Sequence, residues 1–237
     1  MHYFPLTIAF ALLLLFLFIF LIIAIEVGIL SYAYRRMGVD RRYVFSLLIL
    51  SLLGSYINIP LFELAPERIV SNSYVDFFGI RHIIPIVREW PATIIAVNVG
   101  GAVIPALLSL YLTLKNELYR QSLLSIAIVT ILVYFMAHPV RGVGMVVPEF
   151  VPPIAATAVA LIFSAKYAPA LAYVCGTMGT LLGADILHFG DIRGLGAPVA
   201  SIGGAGTFDG IFVTGILAVL LASVMTPKKE KPSSEQH

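Results

Sequence analysis

"LLGADILHFGDIRGLGAPVASIGGAGTFDG" (Leu181–Gly210) holds three aspartates, one histidine, one arginine and eight glycines. It runs out of one stretch apolar enough to lie in lipid, 168–188, and into another, 207–225. Irregular backbone survives at membrane depth only where it is buried in protein or lines water. Glycines allow left-handed turns and close backbone approach. The segment therefore reads as a connection dipping toward a cavity, between helices that are broken or re-entrant.

The rest of the chain fits that setting. Of 237 residues, 59% are hydrophobic and 12% charged, and the mean hydropathy is +0.97. Soluble domains carry about 25% charged residues. A net charge of +2 supplies no basic face for phosphates, so no nucleic-acid partner is expected. Cys175 is the only cysteine, which excludes internal disulfides and thiolate metal clusters. The run from Pro5 to Ile25 lacks a basic n-region and a small-x-small cleavage site. It reads as a retained helix rather than a signal peptide.

Seven runs are long enough to span: 5–31, 43–62, 91–114, 122–139, 150–166, 168–188 and 207–225. Alternate connections carry ten basic residues on one side (Arg35, Arg36, Arg41, Arg42, Lys115, Arg120, Lys166, Lys228, Lys229, Lys231). The other side carries five (Arg68, Arg81, Arg88, Arg141, Arg193). The positive-inside rule makes the first side cytoplasmic. The expectation is a multi-pass cell-membrane protein with its N-terminus outside and its C-terminus in the cytoplasm. The tail 226–237 is polar, with no apolar face, and reads as disordered. The aromatic and apolar segment 63–90 reads as an interfacial helix or re-entrant lid anchored by Trp90.

Two motifs recur in order. "LLGSYINIPLF" (52–62) parallels "LLGADILHFGD" (181–191), and "AVNVGGAVIPALLSLYL" (96–112) parallels "VASIGGAGTFDGIFVTG" (199–215). The single domain, 1–225, then divides into parallel repeats 5–114 and 150–225 around a linker helix 122–139. The expected fold is all-α with a 3+1+3 order, and substrate sites of such folds lie between the repeats.

The unusual polar groups gather at the outer ends of these spans: Asn58, Asn98, His138, Glu149, Asp185, His188 and Asp209. Ionisable groups in such a place are candidate functional residues. Asp185 reads either as an ion-binding group or as an acceptor for a backbone amide at a broken helix end. Asp209 reads as a cap for the last span, a role compatible with ion binding. Asp185 and His188 share a helix face. With His138 they form a weak metal set, since no complete ligand motif is present. Asp191 and Arg193 read as a solvated pair.

"NVGGAVIPALLSLYL", "GTLLGADIL" and "GAPVASIGGAGTFDGIFVTGILAVLLA" resemble a domain-of-unknown-function family of prokaryotic multi-pass membrane proteins, over most of the chain after the first span. That resemblance implies a membrane protein and no particular chemistry. SWEET-type sugar transporters are similar in architecture alone, with three, one and three spans. "LGADI" (182–186) and "GAP" (196–198) faintly resemble intramembrane aspartyl protease motifs. No Gly immediately precedes Asp185, and no upstream Tyr-Asp pair occurs.

Two functions follow as expectations. The first is a small transporter or channel-like protein that binds a cation, proton or cationic group at Asp185 and Asp209, with Asn58, Asn98, His138 and Glu149 contributing. The alternative is an intramembrane hydrolase, using Asp185 and Asp209 or a metal held by His138, Asp185 and His188. The partners implied are the lipid bilayer and a small ion or solute. Substrate and oligomeric state stay open.

Overall fold

Each of the seven apolar runs contains one α-helix. A computed structural model of the chain describes residues 8–65, 67–77, 80–90, 92–140, 144–192, 199–204 and 210–226. The helices are α1 (Ile8–Arg36), α2 (Arg41–Gly54), α3 (Ile104–Lys115), α4 (Tyr119–Met136), α5 (Val151–Phe163), α6 (Ala168–Thr180) and α7 (Gly210–Met225). Asp40 starts α2 by accepting from the Arg42 amide at 3.3 Å. Prolines open three others: Pro105 in α3, Pro152 and Pro153 in α5, Pro169 in α6. Proline suits a first turn because its fixed φ is helical and its missing N–H would be unpaired there anyway.

Several runs are not helical throughout. After α2 the chain is extended as β1 (Asn58–Leu64), and before α3 it is extended as β4 (Thr93–Asn98). A π-helical turn, Val99–Val103, joins β4 to α3, and a second, Leu181–Ile186, continues α6. Strand β7 (Val199–Ile202) precedes α7 in the chain. β4 is the middle strand of a three-stranded sheet. It pairs antiparallel with β1, with Asn98 opposite Asn58. It pairs parallel with β7, with Ala96 opposite Ser201.

The all-α expectation is therefore corrected to a mostly helical fold with short strands. The segment 63–90 is not an interfacial helix. It forms an antiparallel pair, β2 (Glu67–Phe77) and β3 (Ile80–Trp90). β-branched residues crowd both strands (Ile69, Val70 and Val75; Ile83, Ile84, Ile86 and Val87), and such residues pack best on a pleated surface. A third small pair, β5 (His138–Val140) and β6 (Gly144–Val146), follows α4. Beyond Thr226 the predicted tail lies outside the described residues.

α6 is the central helix, packed against α3, α4, α5 and α7. Of its thirteen residues, all but Met178 are buried. Its small side chains allow this. A Cβ on Gly179 would sit 2.6 Å from a Val129 methyl, and one on Gly183 would sit 2.7 Å from the Thr130 carbonyl oxygen. The Gly179-x-x-x-Gly183 spacing is thus what lets α4 cross the α6 end at close range.

The two ends of the bundle differ. At one, Arg36 donates to the carbonyls of Ser223 and Thr226, both at 2.7 Å, tying α1 to the end of α7. Lys115 donates to the Gly38 carbonyl at 2.6 Å, tying the α3 end to the α1–α2 turn. At the other end stand the β1–β4–β7 sheet and the two π-helical turns. Among the described residues one helix, α4, is long and apolar enough to cross a membrane.

Candidate functional site

The polar end is organised around two glycines and two polar hubs. Gly203 has φ +91° and lies directly against Gly101. A Cβ on Gly101 would overlap the Gly203 carbonyl oxygen, and one on Gly203 would come 2.6 Å from the Ala102 nitrogen. No side chain fits at either place. The two matched Gly-Gly-Ala motifs therefore meet face to face, one at each glycine.

The first hub is Asn98, at the end of β4 and 1% exposed. Its Oδ1 accepts from the Gly101 amide at 2.7 Å, capping the π-helical turn. Its Nδ2 donates to the Ser55 carbonyl at 2.8 Å and to Asn58 Oδ1 at 3.1 Å. Ser201 Oγ donates to the same Asn58 oxygen at 2.6 Å. Both donors and the acceptor of Asn98 are used. A buried amide so satisfied is structural cement for β1, β4 and β7.

The second hub is Asp185, on the π-helical turn that ends α6. Its Oδ2 accepts from the Gly203 amide at 2.7 Å, a charge-assisted bond of the stronger kind. Beyond this role in holding the glycine turn, Asp185 lines a cavity of about 410 Å³. Glu149, Thr180, Thr214 and Gly210 also line it. Exposure falls along these groups. Glu149 is exposed and Asp185 intermediate. Thr180 and Thr214 are 4% and 3% exposed. Among the described residues, Thr180 Oγ1 is buried without a hydrogen-bond partner. An orphaned buried hydroxyl costs roughly 1–3 kcal/mol, and Ser125, Thr130 and Ser223 carry buried hydroxyls of the same kind.

A family model described as "Protein of unknown function (DUF1614)" matches residues 52–221. The chain belongs to this family. No curated protein and no solved structure matches the chain. The family segment begins in the last turn of α2 and ends in α7, so it contains both hubs and the cavity.

Within that segment the predicted site residues divide into groups. Asp185 and Glu149 come together on the cavity. Asn58 and Asn98 join the network that reaches Ser201, but they are not among the residues lining the cavity. His138 is exposed, with Nδ1 3.3 Å from the Met136 carbonyl. His188 is buried, with Nδ1 2.8 Å from the Gly183 carbonyl and its ring 4.6 Å from that of Tyr134. Its bond and stacking fix the last turn. The weak metal set His138, Asp185 and His188 is not assembled: no three His, Cys, Asp or Glu side chains among the described residues could hold a metal ion together. Asp209 and Arg193 lie outside the described residues, although Gly210, next to Asp209, lines the cavity. Asp191 is exposed.

Thr180, Thr214 and Ser201 were missed by sequence reasoning. Ser201 had a usable signal, since it aligns with Asn98 when the two Gly-Gly-Ala motifs are superposed. The two threonines had none, because hydroxyls on apolar helices usually bond back to their own backbone.

Proposed function

We propose that the chain is a multi-pass membrane protein in which the Asp185–Glu149 cavity binds a small cation, or a cationic group of a solute, on a transport path. The observation that carries this is the cavity itself. It is lined by two carboxyl groups, Asp185 and Glu149, and by the threonines Thr180 and Thr214. All of these donors are oxygens, which suit hard cations.

Membrane insertion is supported by the surface. Large apolar side chains stand exposed around the bundle, among them Phe135 at 79%, Ile162 at 79% and Val224 at 85%. Such contiguous apolar exposure marks an interaction with lipid or protein rather than water. Orientation is supported by the basic groups Arg36 and Lys115 sharing one end while Asp185 and Glu149 line the cavity at the other. By the positive-inside rule the acidic cavity then faces outward. α5 and α7, with 13 and 16 residues, are about 20 and 24 Å long. That is less than a hydrocarbon core of about 30 Å, so in a membrane-inserted chain non-helical backbone would stand at membrane depth beyond their ends. Duplication is supported by β4 and β7, which carry the matched motifs as parallel neighbours, each preceding a long helix in the chain.

The test is flux in proteoliposomes, with H⁺, Na⁺ and K⁺ as probes. Wild type should carry at least one of them. Asp185→Asn should reduce that flux about tenfold or more, since losing a hydrogen bond to a charged group is worth roughly 1.5–3 kcal/mol. Glu149→Gln should reduce it less, because Glu149 is exposed. Well-folded wild type that carries none of the three, or variants as active as wild type, would overturn the assignment.

A further inference from the structure

A second concavity lies away from the acidic cavity, between α1, α2, the π-helical turn at Gly100 and α7. It encloses about 360 Å³. Its lining is almost wholly apolar, including Ile23, Val27, Phe45 and Leu52, with one carboxyl group, Glu26. Those four apolar residues are 52%, 40%, 65% and 50% exposed, so the groove opens sideways rather than into the bundle.

Glu26 is the unusual member. It belongs to α1, outside the family segment. Ten residues separate it from Arg36, about 15 Å along the helix axis. Arg36 sits at the basic end, and a hydrocarbon core is about 30 Å thick. In a membrane-inserted chain, Glu26 is therefore near mid-depth. A carboxyl there is expensive unless a partner meets it. No hydrogen bond or ion pair joins Glu26 to any described residue. With no basic partner among the described residues, a cationic group entering the groove would compensate it.

We propose that this groove is a second ligand site, which takes the cationic head of an amine-bearing amphiphile at Glu26 and lays its chain between α1 and α2. The side opening admits molecules from the bilayer rather than from water. A few polar groups in an apolar wall (Glu26, Ser51 and Ser55) fix orientation, as in ligand pockets generally, and the volume is near the low end of their range of about 300–1,000 Å³. One chain fits that space better than two. This proposal rests on the membrane reading above but not on the cation path.

The experiment uses three photoreactive probes with the same dodecyl chain, bearing an ammonium, an alcohol or a sulfate head. Labelled sites are mapped by mass spectrometry in protein reconstituted into zwitterionic vesicles. Alkaline extraction of those vesicles comes first, and a chain released into the aqueous fraction would sink the membrane reading and this site together. In retained protein, the ammonium probe should label α1 and α2 about tenfold more than the other two, the scale of one ion-pair contact. Glu26→Gln should abolish that preference, Glu26→Asp should retain part of it, and Asp185→Asn should leave it intact. Equal labelling by all three heads, or a preference that survives Glu26→Gln, would overturn the groove while leaving the cation cavity standing.

Discussion

The Asn98 network and the Asp185 cavity are neighbours at Gly203, yet they treat their polar atoms in opposite ways. Asn98 is 1% exposed and bonded through both ends of its amide. Thr180, at 4%, is nearly as buried, but its hydroxyl meets no partner among the described residues. The first arrangement binds β1, β4 and β7 to one another. The second sets polar groups along a cavity wall. Burial alone does not distinguish a scaffold from a cavity wall, whereas the partners of the buried groups show which residues tie strands together.

The contrast is easiest to break at its shared boundary. Gly101→Val should be the most damaging change, costing about 3 kcal/mol or more, because backbone and not a flexible side chain stands in the way. The expected outcome is little monodisperse protein by size exclusion in detergent. Wild-type yield and melting temperature would mean that the two glycine turns do not touch.

Asn98→Ala removes the cap and leaves the Gly101 amide and Ser55 carbonyl unpaired. It should lower stability by about 2 kcal/mol, read by equilibrium unfolding in mixed micelles. The protein that still folds should keep its ion flux, since Asn98 does not line the cavity. A flux loss larger than the loss of folded protein would move Asn98 from scaffold to site.

Thr180→Val should have the smallest effect on stability, within about 1 kcal/mol and in the stabilising direction, because it deletes an unpaired polar atom at nearly constant shape. Its cation flux should nonetheless fall several-fold. If Thr180→Val destabilised the fold as much as Asn98→Ala, the hydroxyl would have a structural partner and the contrast would collapse.

Much of the helical framework was legible in the chain. Hydropathy located the seven helices of the described residues, because that signal is local. The pair β2–β3 was legible in principle, from its β-branched residues on either side of Gly79. Length and aromatic content instead favoured a helix or lid. The strands β1, β4 and β7 were hidden inside apolar runs, where a buried strand and a helix share a composition. Asp185 and Glu149 were recognisable as acids out of place. The cavity joining them was not, since its walls come from α5, α6 and α7 and from the β6 region.

The amino-acid sequence by itself determined where apolar helices form, which helix could be central, and where glycine would permit close approach. α6 is the clearest instance, as its Gly and Ala content leaves it little choice but to be surrounded. Only the tertiary structure decided which polar groups are content. Asn58 and Ser201 are 143 residues apart, and Gly203 reaches Asp185 and Gly101 from separate segments. A hydrogen bond needs its donor and acceptor within about 3 Å and aligned. No local pattern encodes that meeting, so Asn98 and Asp185 look alike in the chain and differ in the fold.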